Sequence, residues 1–170
     1  MPIVTTIEGR IAQVAIDRPE KRNTLSSELC KDLAREFLEL NDDTRVRSIV
    51  LCGHNNVFCA GLDIEEQLAE NTPIFNEFQK VIDALDALSK PVVAAVSGPA
   101  VSQGAAMLYH CDLVFAGEHA LFSMPGLALG QTPRYGVSLL AVKSGGYKLA
   151  AQKLLLSEPI SAAEAVAMGL

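Results

Sequence analysis

Five consecutive apolar residues, Val92-Val93-Ala94-Ala95-Val96, stand between Pro91 and the turn residues Ser97-Gly98-Pro99. The run is short, continuous and rich in β-branched residues, which predicts a strand buried on both faces of a parallel sheet. Ser48-Ile49-Val50-Leu51-Cys52 and Asp112-Leu113-Val114-Phe115-Ala116 repeat the pattern. Between such runs, Ile74, Phe78, Val81, Ile82, Leu85 and Leu88 recur at helical spacing, and Gly104 to Tyr109 reads as a helix of small residues. Alternating strands and helices define an α/β chain with a mostly parallel sheet.

The ends of the chain fit around this centre. Ile3 to Ile7 and Ile11 to Ile16 flank Glu8-Gly9 and read as a hairpin. The polar stretch Asp17 to Asn23, broken by Pro19, is a loop. Ser26 can cap a helix carrying Leu29, Leu33, Phe37 and Leu40. Asp63 and Glu66 have capping-box spacing for a short helix. Beyond Phe122, Gly126, Gly130, Pro133 and Gly136 mark a long loop, followed by helices around 138–143, 147–156 and 162–168.

At 170 residues the chain fits one domain, 1–170. The 14 Lys and Arg against 20 Asp and Glu give a net charge of −6, which argues against a broad nucleic-acid-binding face. Cys30, Cys52, Cys59 and Cys111 form no C-x-x-C pair, so neither structural zinc nor a redox dithiol is expected. Scattered apolar cysteines, an N-terminus unlike a signal peptide and no long apolar run predict a cytoplasmic protein that does not bind or span membranes. The chain stops at Met168-Gly169-Leu170, where a glycine cap predicts a further element, so a C-terminal helical region is expected to be missing or truncated.

Two loops carry the candidate chemistry. Phe58-Cys59-Ala60-Gly61-Leu62-Asp63-Ile64 and Gly98 to Ala106 both follow apolar strands and lead into helices. The first N–H groups of a helix lack internal partners, and two such donors aimed at one point can hold a developing oxyanion. Glycine and alanine after a strand also serve tight packing alone, so each loop by itself leaves both readings open.

Arg18-Pro19-Glu20-Lys21-Arg22-Asn23, Phe58 to Asp63, Ala95-Val96-Ser97-Gly98-Pro99-Ala100 and Cys111 to Ala116 together resemble the crotonase, or enoyl-CoA hydratase/isomerase, superfamily, in order and spacing. Leu129-Gly130-Gln131-Thr132-Pro133 looks most like its Δ3,Δ2-enoyl-CoA isomerase branch. The resemblance implies a crotonase-like spiral of ββα units that binds an acyl-CoA. The thioester oxygen would lie between the N–H groups of Ala60 and Gln103. Lys21, Arg22, Asn23 and Thr24 would lie near the nucleotide, Gly61, Leu62, Asp63 and Ile64 along the adenine and pantetheine, and Gly104 beside the hole. Coenzyme A would arrive as part of the substrate, with no separate cofactor or metal. The family's oligomers imply a trimer or a dimer of trimers, with Leu154, Leu155, Leu156, Ile160, Val166 and Leu170 in need of cover.

The sequence departs from the family where protons move. Ala106 and Gly126 stand where hydratases carry two glutamates, and Arg134 stands where the isomerase branch carries its proton-shuttling glutamate. Arginine stays protonated and cannot act as a base. It could hold an acidic acyl group or bicarbonate, or form an ion pair. Tyr135 is a candidate proton donor, and Glu65, Glu66 and Glu77 are candidates for a relocated base. His54 reads as solvated or structural, and His110 as core packing. The expected function is enolate stabilisation on an acyl-CoA without the usual glutamates; the alternative is an acyl-CoA-binding protein without turnover.

Overall fold

The β-branched residues on either side of Glu8-Gly9 form the expected hairpin in a computed structural model, which describes residues 2–69 and 71–170. β1 (Ile3–Glu8) runs antiparallel to β2 (Ile11–Ile16). The hairpin supplies the edge of a sheet ordered β1-β2-β3-β4-β6, in which β3 (Ser48–Gly53), β4 (Val92–Val96) and β6 (Leu113–Ala116) pair in parallel. Met1 lies outside the described residues.

β2, β3, β4 and β6 each lead to a much shorter segment in a second layer. β5 (Ala100–Val101), β7 (Leu121–Ser123) and β8 (Ile160–Ser161) form a small sheet. Single parallel bridges, Cys59 to Ala100 and Leu25 to Leu62, extend that layer toward the N-terminus. Each turn then ends in a helix: α1 (Ser27–Asp42), α2 (Ile64–Gln67) with α3 (Ile74–Asp86), α4 (Gln103–Leu108) and α5 (Val137–Gly145). Strand, short strand, helix is the repeating ββα turn. α6 (Tyr147–Leu156) and α7 (Ala162–Ala167) follow.

The core lies between α1, α3 and one face of the large sheet. Ser26 caps α1 by accepting from Leu29 N, and the helix buries Leu29, Leu33, Phe37 and Leu40. α3 answers with Ile74, Phe78, Val81, Ile82 and Leu85. Those side chains meet Val14, Ile49, Leu51, Val92, Ala94 and Val96 from the sheet. Burying a side chain of this size contributes about 1.5–3 kcal/mol, so this interface dominates the fold.

One expectation is corrected here. β4 alternates, with Val92, Ala94 and Val96 buried and Val93 and Ala95 only partly so. Helices cover one face of the sheet, and Leu113 and Phe115 on neighbouring β6 stay exposed. Among the α6–α7 apolar residues, Ile160 needs no further cover, because it is buried against Phe122 in the small sheet. Leu155, Leu156 and Val166 are exposed. No described helix is long and apolar enough to cross a membrane.

Candidate active site

The two loops singled out in the sequence meet in space, and glycine lets them meet. A Cβ on Gly104 would lie 2.3 Å from the Cys59 carbonyl oxygen, and one on Gly61 would lie 3.2 Å from Ser102, Gln103 and the Val101 carbonyl. The contact is fixed by backbone bonds: Val101 N donates to Cys59 O at 2.8 Å, and Phe58 N to Pro99 O at 3.0 Å. Ser102 completes the turn into α4 at φ +54°, a conformation costly for a side-chain-bearing residue.

The backbone donors at this junction divide sharply. Cys59 N donates to Pro99 O, Ala60 N to Arg22 O at 3.2 Å, Gly61 N to Cys59 Sγ, and Asp63 N to Leu25 O. Among the described residues, only Leu62 N in this run has no acceptor. On the facing loop Val101 N and Ser102 N are bonded, whereas Gln103 N, at the start of α4, has no acceptor among the described residues. The expectation for Ala60 is therefore corrected: its N–H is already used by the Arg22 carbonyl. The free pair is Leu62 and Gln103.

Several residues expected to touch ligand turn out to hold the loop. Asn23 is fully buried; its Nδ2 donates to His54 O and Val57 O, and its Oδ1 accepts from Arg18 N. Asp63 is buried and pairs with Arg18 at 3.0 Å while capping α2 through Glu65 N. The capping box does not form, because Glu66 Oε2 instead accepts from Ser27 N and Oγ. Lys21 bonds Glu65 at 2.9 Å, which raises its pKa above the usual lysine value. Arg22 is exposed with no ion pair among the described residues, Thr24 keeps a buried hydroxyl without a partner, and Ile64 is exposed.

At Gln103 lies a small cavity of about 40 Å³, lined also by Ala106, Gly126, Arg134, Tyr135 and Leu154 among others. No carboxylate lines it among the described residues. Glu65 and Glu66 are engaged as above, and Glu77 holds Lys80 at 2.9 Å, so none of the three candidate bases reaches this space. Arg134 forms no ion pair among the described residues; its guanidinium lies 4.7 Å over the Phe75 ring. Tyr135 has its hydroxyl pushed up to about 12 by burial and donates it to Phe75 O, so it stays protonated. Burial likewise pushes the Cys59 thiol up to about 12, leaving it inert. His54 pairs with Asp17 at 3.3 Å. Among the described residues no cluster of His, Cys, Asp and Glu could hold a metal ion.

The profile described as enoyl-CoA hydratase/isomerase matches residues 6–170. The chain belongs to this family. It is 34% identical over 173 residues to the short-chain-enoyl-CoA hydratase of Clostridium acetobutylicum, covering 99% of this chain and 66% of that protein. It is 32% identical over 170 residues to the 2,3-dehydroadipyl-CoA hydratase of Escherichia coli, covering 99% of this chain and 67% of the relative. A crystal structure of an enoyl-CoA hydratase/isomerase from Pseudoalteromonas atlantica superposes with a TM-score of 0.92 at 32% identity, covering 99% of this chain and 67% of that one. The chain thus spans about two thirds of the length of these relatives. The crotonase spiral expected from the motifs is the fold found. The family's hallmark loops are the ones that glycines 61 and 104 press together.

Proposed function

We propose that the chain binds an acyl-CoA thioester with its carbonyl oxygen between the N–H groups of Leu62 and Gln103, and stabilises the enolate that forms there. The observation that carries this reading is that these two donors, on loops in contact, have no acceptor of their own. Removing one such donor from an enzyme typically costs ~100–1,000-fold in rate. The CoA arm would run past Gly61 and Ile64 toward Thr24 and the free guanidinium of Arg22, with Lys21 beside it. Coenzyme A is part of the substrate, and no other cofactor is invoked.

The relatives are named hydratases, but hydration needs a base for water and an acid for carbon. Ala106 and Gly126 supply neither, and the cavity lining has no carboxylate among the described residues. This favours an isomerase-like member whose shuttling position is filled by Arg134. The same lining supports the second reading, an acyl-CoA-binding protein without turnover. Exposed Leu155, Leu156 and Val166 support a homo-oligomer, a trimer or a dimer of trimers, built on the single 1–170 core.

The test is one panel of acyl-CoA thioesters measured for binding by calorimetry and for turnover by mass spectrometry. Binding with double-bond migration or enolate-dependent proton exchange supports the enzyme. Binding without either supports the second reading. Absence of affinity for every thioester and for free CoA overturns both.

A further inference from the structure

His110 lies outside the two loops, yet both of its ring nitrogens face acceptors. Nδ1 is 2.8 Å from Asp86 Oδ1 at the end of α3, and Nε2 is 2.9 Å from the carbonyl oxygen of Tyr135. A neutral imidazole has one N–H and one lone pair. In that form one of these contacts would set a lone pair against an oxygen at hydrogen-bond distance. Only the imidazolium donates in both directions. The ring is buried, with 6% of its side chain exposed, while the Asp86 carboxylate is largely in water.

Tyr135 is a place where the backbone needs holding. It sits at φ +57°, in the left-handed region, between Arg134 and Gly136 on the cavity wall. Such a residue persists only where its surroundings fix it. Its ring packs edge-on against Phe78 at 4.7 Å and its hydroxyl reaches Phe75 O, so the ring is anchored to α3. Its carbonyl is anchored by His110 alone among the described residues. We infer that His110 is a positioning residue for the acyl-side wall, holding Tyr135 through a doubly donating imidazolium, so that ligand affinity at this wall depends on its proton. The functional half rests on the acyl-CoA reading above.

The titratable groups in contact with His110 are Asp86 from α3 and Tyr135 from the wall; Arg134, Cys111 and Asp112 adjoin these in sequence. Burial pushes both Tyr135 and Cys111 up to about 12, so neither changes charge at working pH. Asp112 is bonded to Val92 N at 2.8 Å, and Arg134 stays cationic. Imidazole is the side chain whose charge ordinarily changes between about pH 5 and 8. The sign follows: at lower pH both bonds are made, and as pH rises the proton leaves, one bond is lost and the wall loosens.

The test measures butyryl-CoA affinity by calorimetry, and hydrogen exchange at Tyr135 to Val137 without ligand, at about pH 6 and pH 8. Glutamine at position 110 keeps one donor and one acceptor but does not titrate. Wild-type protein should lose affinity by roughly tenfold and lose exchange protection on going to the higher pH, since one bond to a charged group is at stake. His110→Gln should be flat in both. Titration of the CoA phosphates affects both proteins equally and cancels in their ratio. Asp86→Asn, which keeps an acceptor and removes the charge, should move the wild-type transition to lower pH, and it serves if His110→Gln does not fold. Wild-type protection, taken relative to the intrinsic exchange rate at each pH, that is the same at both pH values, or a difference that survives in His110→Gln, overturns the inference. If butyryl-CoA binds none of these proteins at either pH, the proposed function falls, and the exchange profiles alone decide the clamp.

Discussion

Asn23 and Arg134 stand on two loops that are held in different ways. Asn23 is fully buried and makes three hydrogen bonds to backbone at Arg18, His54 and Val57. Arg134 is exposed and leans on one aromatic ring. The wall around Asn23 is a lattice of backbone bonds, a buried Arg18–Asp63 pair and glycine-permitted contacts. The wall from Gly126 to Val137 is a long loop tied down at His110, Phe75 and Phe78. In the acyl-CoA reading proposed above, the first wall would hold what every acyl-CoA shares, the thioester and the CoA arm. The second would face the acyl group, which varies. Rigid geometry suits the oxyanion donors, where small displacements are costly to rate. A lightly tied wall can change side chains without disturbing the fold.

That contrast breaks most visibly if the lattice proves soft. Asn23→Ala should lose about 3 kcal/mol of stability, because it strands a buried donor and two carbonyls and leaves alanine in a left-handed conformation that asparagine tolerates better. Denaturant unfolding reads this directly, and a loss under about 1 kcal/mol would show that the lattice is not held by its side chains. Gly104→Ala should follow at about 2 kcal/mol, since its Cβ would be driven into the Cys59 carbonyl and the two loops would have to part. The matching change on the other wall, Gly130→Ala, meets nothing within 4 Å and should lose only the ~1 kcal/mol of a left-handed alanine.

The elements themselves were legible because periodicity is local. Leu29, Leu33, Phe37 and Leu40 declare one buried face whatever lies opposite them. β7 and β8, at three and two residues, are too short to show any period. The site loops were legible as glycine-bearing motifs, but the role of each N–H was not. Whether Ala60 or Leu62 is free depends on the Arg22 carbonyl, which the chain brings in from far upstream. Asn23 read as a ligand contact for the same reason, since its partners His54 and Val57 lie more than thirty residues away. Glu66 completed a capping box on spacing alone, until Ser27 offered it two donors. Burial on one face rather than two at β4 depends on what covers the far side, which no local pattern reports.

A smaller effect belongs at the edge of the molecule. Glu164 caps α7 through Ser161 and bonds Lys153 at 2.8 Å, and these partners, Lys153 foremost, hold its carboxyl down to about 2. A lowered folded-state pKa gives stability that is present above the ordinary glutamate value and is lost as pH falls toward about 2. Acid titration followed by hydrogen exchange should therefore lower the protection of α7 in that window, and Glu164→Gln should leave its protection, taken relative to the intrinsic exchange rate, unchanged there.

The smallest stability effect should come with the most informative change in chemistry. Arg134→Glu replaces an exposed side chain and should alter stability by no more than about 0.5 kcal/mol. The new carboxylate would enter a wall that has none among the described residues, beside the Leu62 and Gln103 donors already in place. Proton transfer by a positioned group is worth ~100–10,000-fold, so the variant should shift a 3-enoyl-CoA double bond to the 2-position where the wild type does so slowly or not at all. Recovery should be partial. The Gln103 side chain and Tyr135 occupy the same wall, and a small misplacement of the reacting carbon costs ~100-fold. Exchange of the shuttled proton, read by mass spectrometry, reports the transfer even where net isomerisation is slow. If wild-type protein isomerises robustly and Arg134→Ala leaves the rate intact, the base lies elsewhere and the two walls do not divide the work in this way.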